Sequence, residues 1–146
     1  MQVFDDIYFM RKALQEAELA LAEGEVPVGA VIVCHNQIVA KGRNQVETLN
    51  DATAHAEMLA FTAATNYLGS KYLKDCTLYV TLEPCQMCAG AAFWSQIGRI
   101  VYGAADEQRG FQHWHCKVHP KTHVHGGVLA DESMRLLQAF FKKMRE

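Results

Sequence analysis

His55, Cys85 and Cys88 are the residues that most restrict how this chain can fold. They sit in two separate segments, His55-Ala56-Glu57 and Pro84-Cys85-Gln86-Met87-Cys88, and each is a good metal ligand. Three protein ligands on one tetrahedral zinc leave the fourth position open to water, as in a catalytic centre. Cys85 and Cys88 are three apart, so on a helix they share one face. Pro84 is tolerated at a helix start, where its missing N–H costs nothing. The thiolates would then meet the positive end of the helix dipole, which favours the ligating form. His55 precedes an apolar helical run ending near Tyr67. The fold must therefore bring two helix N-termini to one point. Glu57 is not needed as a ligand and is free to move a proton from the water. A closed structural zinc would want a fourth ligand in a second tight pair. A redox dithiol would explain neither His55 nor Glu57.

The rest of the chain reads as alternating helices and strands. Asp5 or Asp6 can cap a first helix, with Ile7, Met10, Leu14, Ala17 and Leu21 as its buried face and Gly24 as its stop. Val28 to Cys34 is a short apolar strand, His35-Asn36 a turn, and Ile38 to Gly42 its hairpin partner. A helix from Ala54 to Tyr67 follows, ending at Gly69. Cys76 to Thr81 is a strand that feeds a helix over about Cys85 to Ser95. Ile100 to Gly103 is a further strand, and Val124 to Val128 a weaker one. Asp131 caps a last helix with Met134, Leu137, Phe141 and Met144 on one side. Strand–helix–strand order predicts an α/β fold with a largely parallel sheet, opened by one hairpin. With 146 residues, half of them hydrophobic, the whole chain 1–146 is expected to be one domain.

Fourteen basic against sixteen acidic residues give a net charge of −2. That is no global basic signature, so any nucleic-acid contact must come from a local patch. Two of five cysteines go to the metal, leaving Cys34, Cys76 and Cys116 as reduced thiols of a cytoplasmic protein. Met1 to Phe9 does not read as a secretory signal, and no apolar run approaches transmembrane length.

Three segments carry a family resemblance: Gly24-Glu25-Val26-Pro27-Val28-Gly29-Ala30-Val31, Asp51-Ala52-Thr53-Ala54-His55-Ala56-Glu57-Met58, and Leu78 to Ala91 around Glu83-Pro84-Cys85-Gln86-Met87-Cys88. They resemble the bacterial tRNA adenosine deaminases of the cytidine deaminase superfamily, from about residue 5 to the C-terminus with a gap after Asp106. The resemblance implies a three-layer α/β/α fold with a central mixed five-stranded sheet. It implies one zinc per chain on His55, Cys85 and Cys88, with Glu57 as the catalytic acid–base that serves the purine ring nitrogen and the departing ammonia. The implied reaction converts the wobble adenosine of a tRNA anticodon arm to inosine. Asn44 matches a residue that hydrogen-bonds the purine, although a turn Asn is the plain alternative. Val28, Ala56 and Leu82 match the walls of the base pocket, and Asp106 lies where the family touches the ribose, or is a solvated loop carboxylate. Glu83, just before Pro84, either helps to position the pocket or sits in a bend, with no role assigned. Lys142, Lys143 and Arg145, after Phe140-Phe141, match a basic tail on the anticodon stem; complementing the helix dipole is their ordinary role. Arg99, Arg109, Lys117 and Lys121 extend such a patch if they share its face. The family implies a cytoplasmic homodimer, and the small residues Ala89 to Ala92 permit close helix packing.

The resemblance weakens between Phe111 and His125, which holds five of the seven histidines. Three readings stand there: a second metal site with Cys116, a loop stacking Phe111 and Trp114 on bases, or plain structure. The other enzymatic reading is a zinc deaminase of a free base or nucleoside, of guanine or cytosine type. An inactive RNA-binding member with structural zinc would have no use for Glu57.

Overall fold

A computed structural model of the chain describes residues 4–146. Residues 1–3, included in the expected single domain, lie outside them. Among the described residues the order is α1 (Asp6–Ala22), β1 (Gly29–Cys34), β2 (Gln37–Arg43), α2 (Ala56–Leu68), β3 (Cys76–Leu82), α3 (Gln86–Ser95), β4 (Arg99–Ala104), β5 (His123–His125) and α4 (Ala130–Met144). The strands form one mixed sheet in the order β2-β1-β3-β4-β5. β1 runs antiparallel to β2 and β3, while β3, β4 and β5 are parallel. This is the expected α/β architecture with five strands.

Side chains alternate across the sheet, because strand periodicity is two. Ala30, Ile32, Leu78, Val80 and Ile100 join Ala56, Ala60, Phe61, Ala64 and Ala92, from α2 and α3, in one core. Val31, Val33, Tyr79 and Val101 join Phe9, Met10, Ala13 and Leu14 of α1 in another, bordered by Leu136 of α4. The hairpin turns on His35 and Asn36, with φ of 51° and 62°. Two left-handed central residues are what a two-residue turn needs to match strand twist. β2 then approaches α2 so closely that a Cβ on Gly42 would lie 2.2 Å from the Ala56 carbonyl oxygen.

Asp5 caps α1 as expected, accepting from the Tyr8 N–H at 2.8 Å. The buried face of α1 is rotated from the expected one. Met10, Leu14 and Ala17 are buried beside Phe9, Ala13 and Ala20, but Ile7 is 49% exposed and Leu21 only part-buried. α2 and α3 start later than expected, with His55 and Cys85 at their N-caps. β5 is short, exposed and displaced toward the N-terminus of its expected range, since it pairs only with the start of β4. Asp131 is not the cap of α4. Leu129 holds that position in a left-handed conformation, and Asp131 and Glu132 lie in the first turn, where they complement the dipole.

At the N-terminal end of the parallel strands, Asp6 ties α1 to the sheet. Its carboxylate accepts from the Tyr79 hydroxyl at 2.8 Å and from both terminal nitrogens of Arg99 at 2.7 Å. Arg99 is thus engaged away from any patch on α4. Lys121 borders a cavity with Lys74, Gly98 and His119 at that same end, so it too is removed from the expected patch.

Candidate active site

The zinc motif lies at the other end of β3, where the chain leaves the sheet and enters α3. His55 and Cys85 have extended N-cap backbones, which turns their side chains toward each other at the helix starts. His55 Nδ1 lies 3.6 Å from Cys85 Sγ and 3.7 Å from Cys88 Sγ. All three donor atoms fall within 4.8 Å of one another. A tetrahedral zinc with ordinary Zn–S and Zn–N bonds sets the N···S edge at about 3.6 Å. The residues therefore fit the ion without rearrangement. Among the described residues no other such cluster forms, so the histidines after Phe111 are not gathered into a second centre with Cys116.

The electrostatics suit a cation. Hydrogen bonding from Cys88 brings the Cys85 thiol down to about 4, helped by His55 and opposed by burial. Cys88 is pushed up by sharing that proton and by burial. Both thiols must be deprotonated to bind zinc, so metal binding releases protons. Glu57, only 4% exposed in the first turn of α2, is raised to about 7 by burial.

A cleft of about 370 Å³ opens over this centre. Val28, Asn44, Leu82 and Asp106 line it together with His55, Glu57 and Cys85. Ala56, expected in the wall, is wholly buried. Its N–H instead donates to Asn44 Oδ1 at 2.9 Å, which fixes the amide and leaves the Asn44 NH₂ uncommitted. Asp106 Oδ1 accepts from the N–H groups of Gln108 and Arg109 and so shapes its own turn.

The cytidine and deoxycytidylate deaminase zinc-binding region matches residues 4–104. The tRNA-specific adenosine deaminase of Aquifex aeolicus is 43% identical, over 94% of this chain and 95% of its own. The chain belongs to the tRNA-specific adenosine deaminase family, within the zinc-binding cytidine and deoxycytidylate deaminases. A solved structure from work on A-to-I editing by tRNA:A34 deaminases at the wobble position superposes with a TM-score of 0.81. It is 40% identical and covers 89% of this chain and 99% of its own. The guanine deaminase of Bacillus subtilis is 42% identical, but over only 67% of this chain and 63% of its own, with a TM-score of 0.64. The enzyme is a zinc-dependent hydrolase with one zinc per chain.

The deaminase's α4 runs past the cleft, and Phe140, Phe141 and Met144 border the mouth with Arg109. Lys142, Lys143 and Arg145 are exposed on this same turn of chain. In the loop between β4 and β5, Phe111 is 5% exposed and cannot stack on a base, whereas Trp114 is 58% exposed against His113. Two further carboxylates line the cleft, Glu25, not expected there from sequence, and Glu83, expected either to help position the pocket or to sit in a bend. Glu25 and Glu83 are 2% and 6% exposed, and both carboxylates face backbone N–H groups. Burial works to raise Glu25, but the hydrogen bonds from Thr48 and Glu47 outweigh it and hold the carboxyl low. Their signal is a charged residue inside an apolar stretch, one or two positions before a proline.

Proposed function

We propose that this enzyme hydrolyses adenosine to inosine at the wobble position of a tRNA anticodon arm. The observation that carries the reading is the cleft over the three-ligand centre, with Phe140, Phe141 and Met144 of α4 at its mouth. Relatives matching nearly the whole chain are tRNA-specific adenosine deaminases.

His55, Cys85 and Cys88 would hold the zinc, which when bound would supply a water that ionises near neutral pH. Glu57 would take one proton of the attacking water to the purine ring nitrogen, then carry the other, from the new hydroxyl on the ring carbon, to the amino group leaving as ammonia. Adenosine and water thereby become inosine and ammonia. Val28 and Leu82 supply apolar walls for the base. Asn44 offers its uncommitted NH₂ to a purine nitrogen, and Asp106 offers its second carboxylate oxygen to a ribose hydroxyl. An anticodon loop presents a base already unstacked, so little is spent in extruding it. Lys142, Lys143 and Arg145 then meet backbone phosphates.

The test is incubation with the cell's own tRNA pool, read by sequencing for adenosine-to-inosine changes. Rapid ammonia release from free guanine or cytosine, with no inosine in any tRNA, would favour the free-base reading instead.

The same reading includes a homodimer in the cytoplasm. Trp94 is 76% exposed on α3, and Gly90 on the same helix has nothing within 4 Å of where a Cβ would stand. Small residues beside an exposed tryptophan suit a second copy packed across α3. Sedimentation equilibrium at micromolar concentration checks it, a fully active monomer being the contrary result. Among the described residues no helix is long and apolar enough to cross a membrane.

A further inference from the structure

Two buried carboxylates flank the cleft, and neither faces a cation or a metal ligand in any hydrogen bond the structure contains. Glu25 Oε1 accepts from the Glu47 N–H at 3.1 Å, and Oε2 accepts from the Thr48 N–H and hydroxyl at 2.7 Å each. Glu83 Oε1 accepts from the Asp106 N–H at 3.0 Å, and Oε2 from the Gln112 N–H at 3.1 Å. Each holds one long connection. Glu25 holds the segment after β2 that contains Asn44 and leads to His55. Glu83 holds the segment after β4 that contains Asp106 and Arg109.

The second attachment is tighter. Phe111 N–H donates to the Pro84 carbonyl at 2.8 Å, and Gly110 bridges to Cys85. A Cβ on Gly110 would stand 2.4 Å from the Glu83 carboxyl carbon. The glycine is the space into which the carboxylate fits. Burying a carboxylate is costly unless donors surround it. Here the donors are backbone groups of irregular segments, which have no ladder of their own to satisfy them. The two requirements meet, and the connections are fixed in one conformation.

We infer that Glu25 and Glu83 are positioning residues that set the two side walls of the base cleft and thereby govern substrate affinity. This rests on the proposed deaminase reading of the site. Zinc and Glu57 are carried by the starts of α2 and α3, whereas Asn44, Asp106 and Arg109 are carried by the two clamped connections. Loosening a clamp should therefore raise KM and spare kcat, the pattern of lost uniform binding.

The experiment is steady-state kinetics of Glu83→Gln, Gly110→Ala and Thr48→Val on an anticodon minihelix, with zinc content measured for each. In Glu83→Gln, one backbone N–H must face an amide NH₂ whichever way the side chain turns. A hydrogen bond to a charged group is strong enough that its loss should raise KM about tenfold. The expected result is that rise, with kcat within about threefold and one zinc retained. Gly110→Ala, which displaces the carboxylate without changing charge, should reproduce it. Thr48→Val should give a smaller rise from the other wall. An unchanged KM in all three, or a fall in kcat with KM constant, or zinc loss in Glu83→Gln, would overturn the inference. Should the wild-type enzyme prove to act on free guanine, the same KM-against-kcat comparison on guanine decides the clamps separately from the tRNA reading. If Glu83→Gln fails to fold, the KM values of Gly110→Ala and Thr48→Val decide between the same two outcomes.

Discussion

Glu57 sits where a proton carrier must sit, buried beside the ligands and open only to the cleft. Burial raises its carboxyl above the ordinary carboxylate value, and its place beside the ligands puts it within reach of the attacking water. Glu57→Gln should keep fold and zinc yet lose at least about 10²–10⁴ in rate, because an amide of equal shape cannot shuttle a proton. Single-turnover assays beside metal analysis check this. More than about a tenth of the wild-type rate, well outside that range, would assign the role to another group. That Glu57 and the three candidate ligands would gather at one point was legible from sequence, because few residue types can bind zinc or carry a proton. Glu25 was not, and Glu83 was legible only as a residue that either helps to position the pocket or sits in a bend. A carboxylate in an apolar stretch signals burial, but its partners are backbone groups of distant connections with no sequence signature. Asn44 was legible as a cleft residue, though not its second task of holding the Ala56 N–H.

Among the elements, those with a core face were read well, and errors cluster where a helix or strand has little to pack against. The β1–β2 hairpin and β3 match their patterns because both sheet faces are covered. β5 was misplaced because all three of its residues are exposed, and pairing with β4 alone sets its position. On α4 the expected apolar side divides in two. Ser133 and Leu137 are buried, while Met134, Phe141 and Met144 remain exposed at 39%, 48% and 68%, the last two at the cleft edge. An apolar stripe read from sequence does not tell a core from a rim that waits for substrate. Lys142 and Lys143 are exposed in the same last turns of α4. Replacing Lys142 and Lys143 by Ala should weaken RNA binding and flatten its salt dependence by roughly one slope unit per lost phosphate contact. Turnover of a saturating minihelix should stay near wild type. Binding isotherms across a salt series decide it, and an unchanged slope would remove these lysines from the interface.

Across the whole molecule the chemistry gathers at one end of the sheet and a purely structural clamp at the other. There the hydrogen bond from Arg99 is the largest influence on Asp6 and holds its carboxyl below the ordinary carboxylate value, against the effect of burial. A lowered folded value means that the stabilisation is fully present above the unfolded value of about 4. It is lost as pH falls through the lowered one. Asp6→Asn should cost about 1 kcal/mol at neutral pH, discounted for the partial exposure of the pair. Urea titrations should find that difference shrinking below about pH 4, and a gap that persists there would exclude the ionic origin. The metal ligands, by contrast, come from residues 30 and 33 positions apart along the chain. An ion seated between them is a removable cross-link between two halves of the sheet's helical cover. Because it binds the folded chain and not the open one, each tenfold of free zinc above the dissociation constant adds about 1.4 kcal/mol. The melting temperature of this enzyme would then be as much a reading of the buffer's free zinc as of its sequence. Scanning calorimetry against a series of zinc buffers should trace it as a line in the logarithm of free metal.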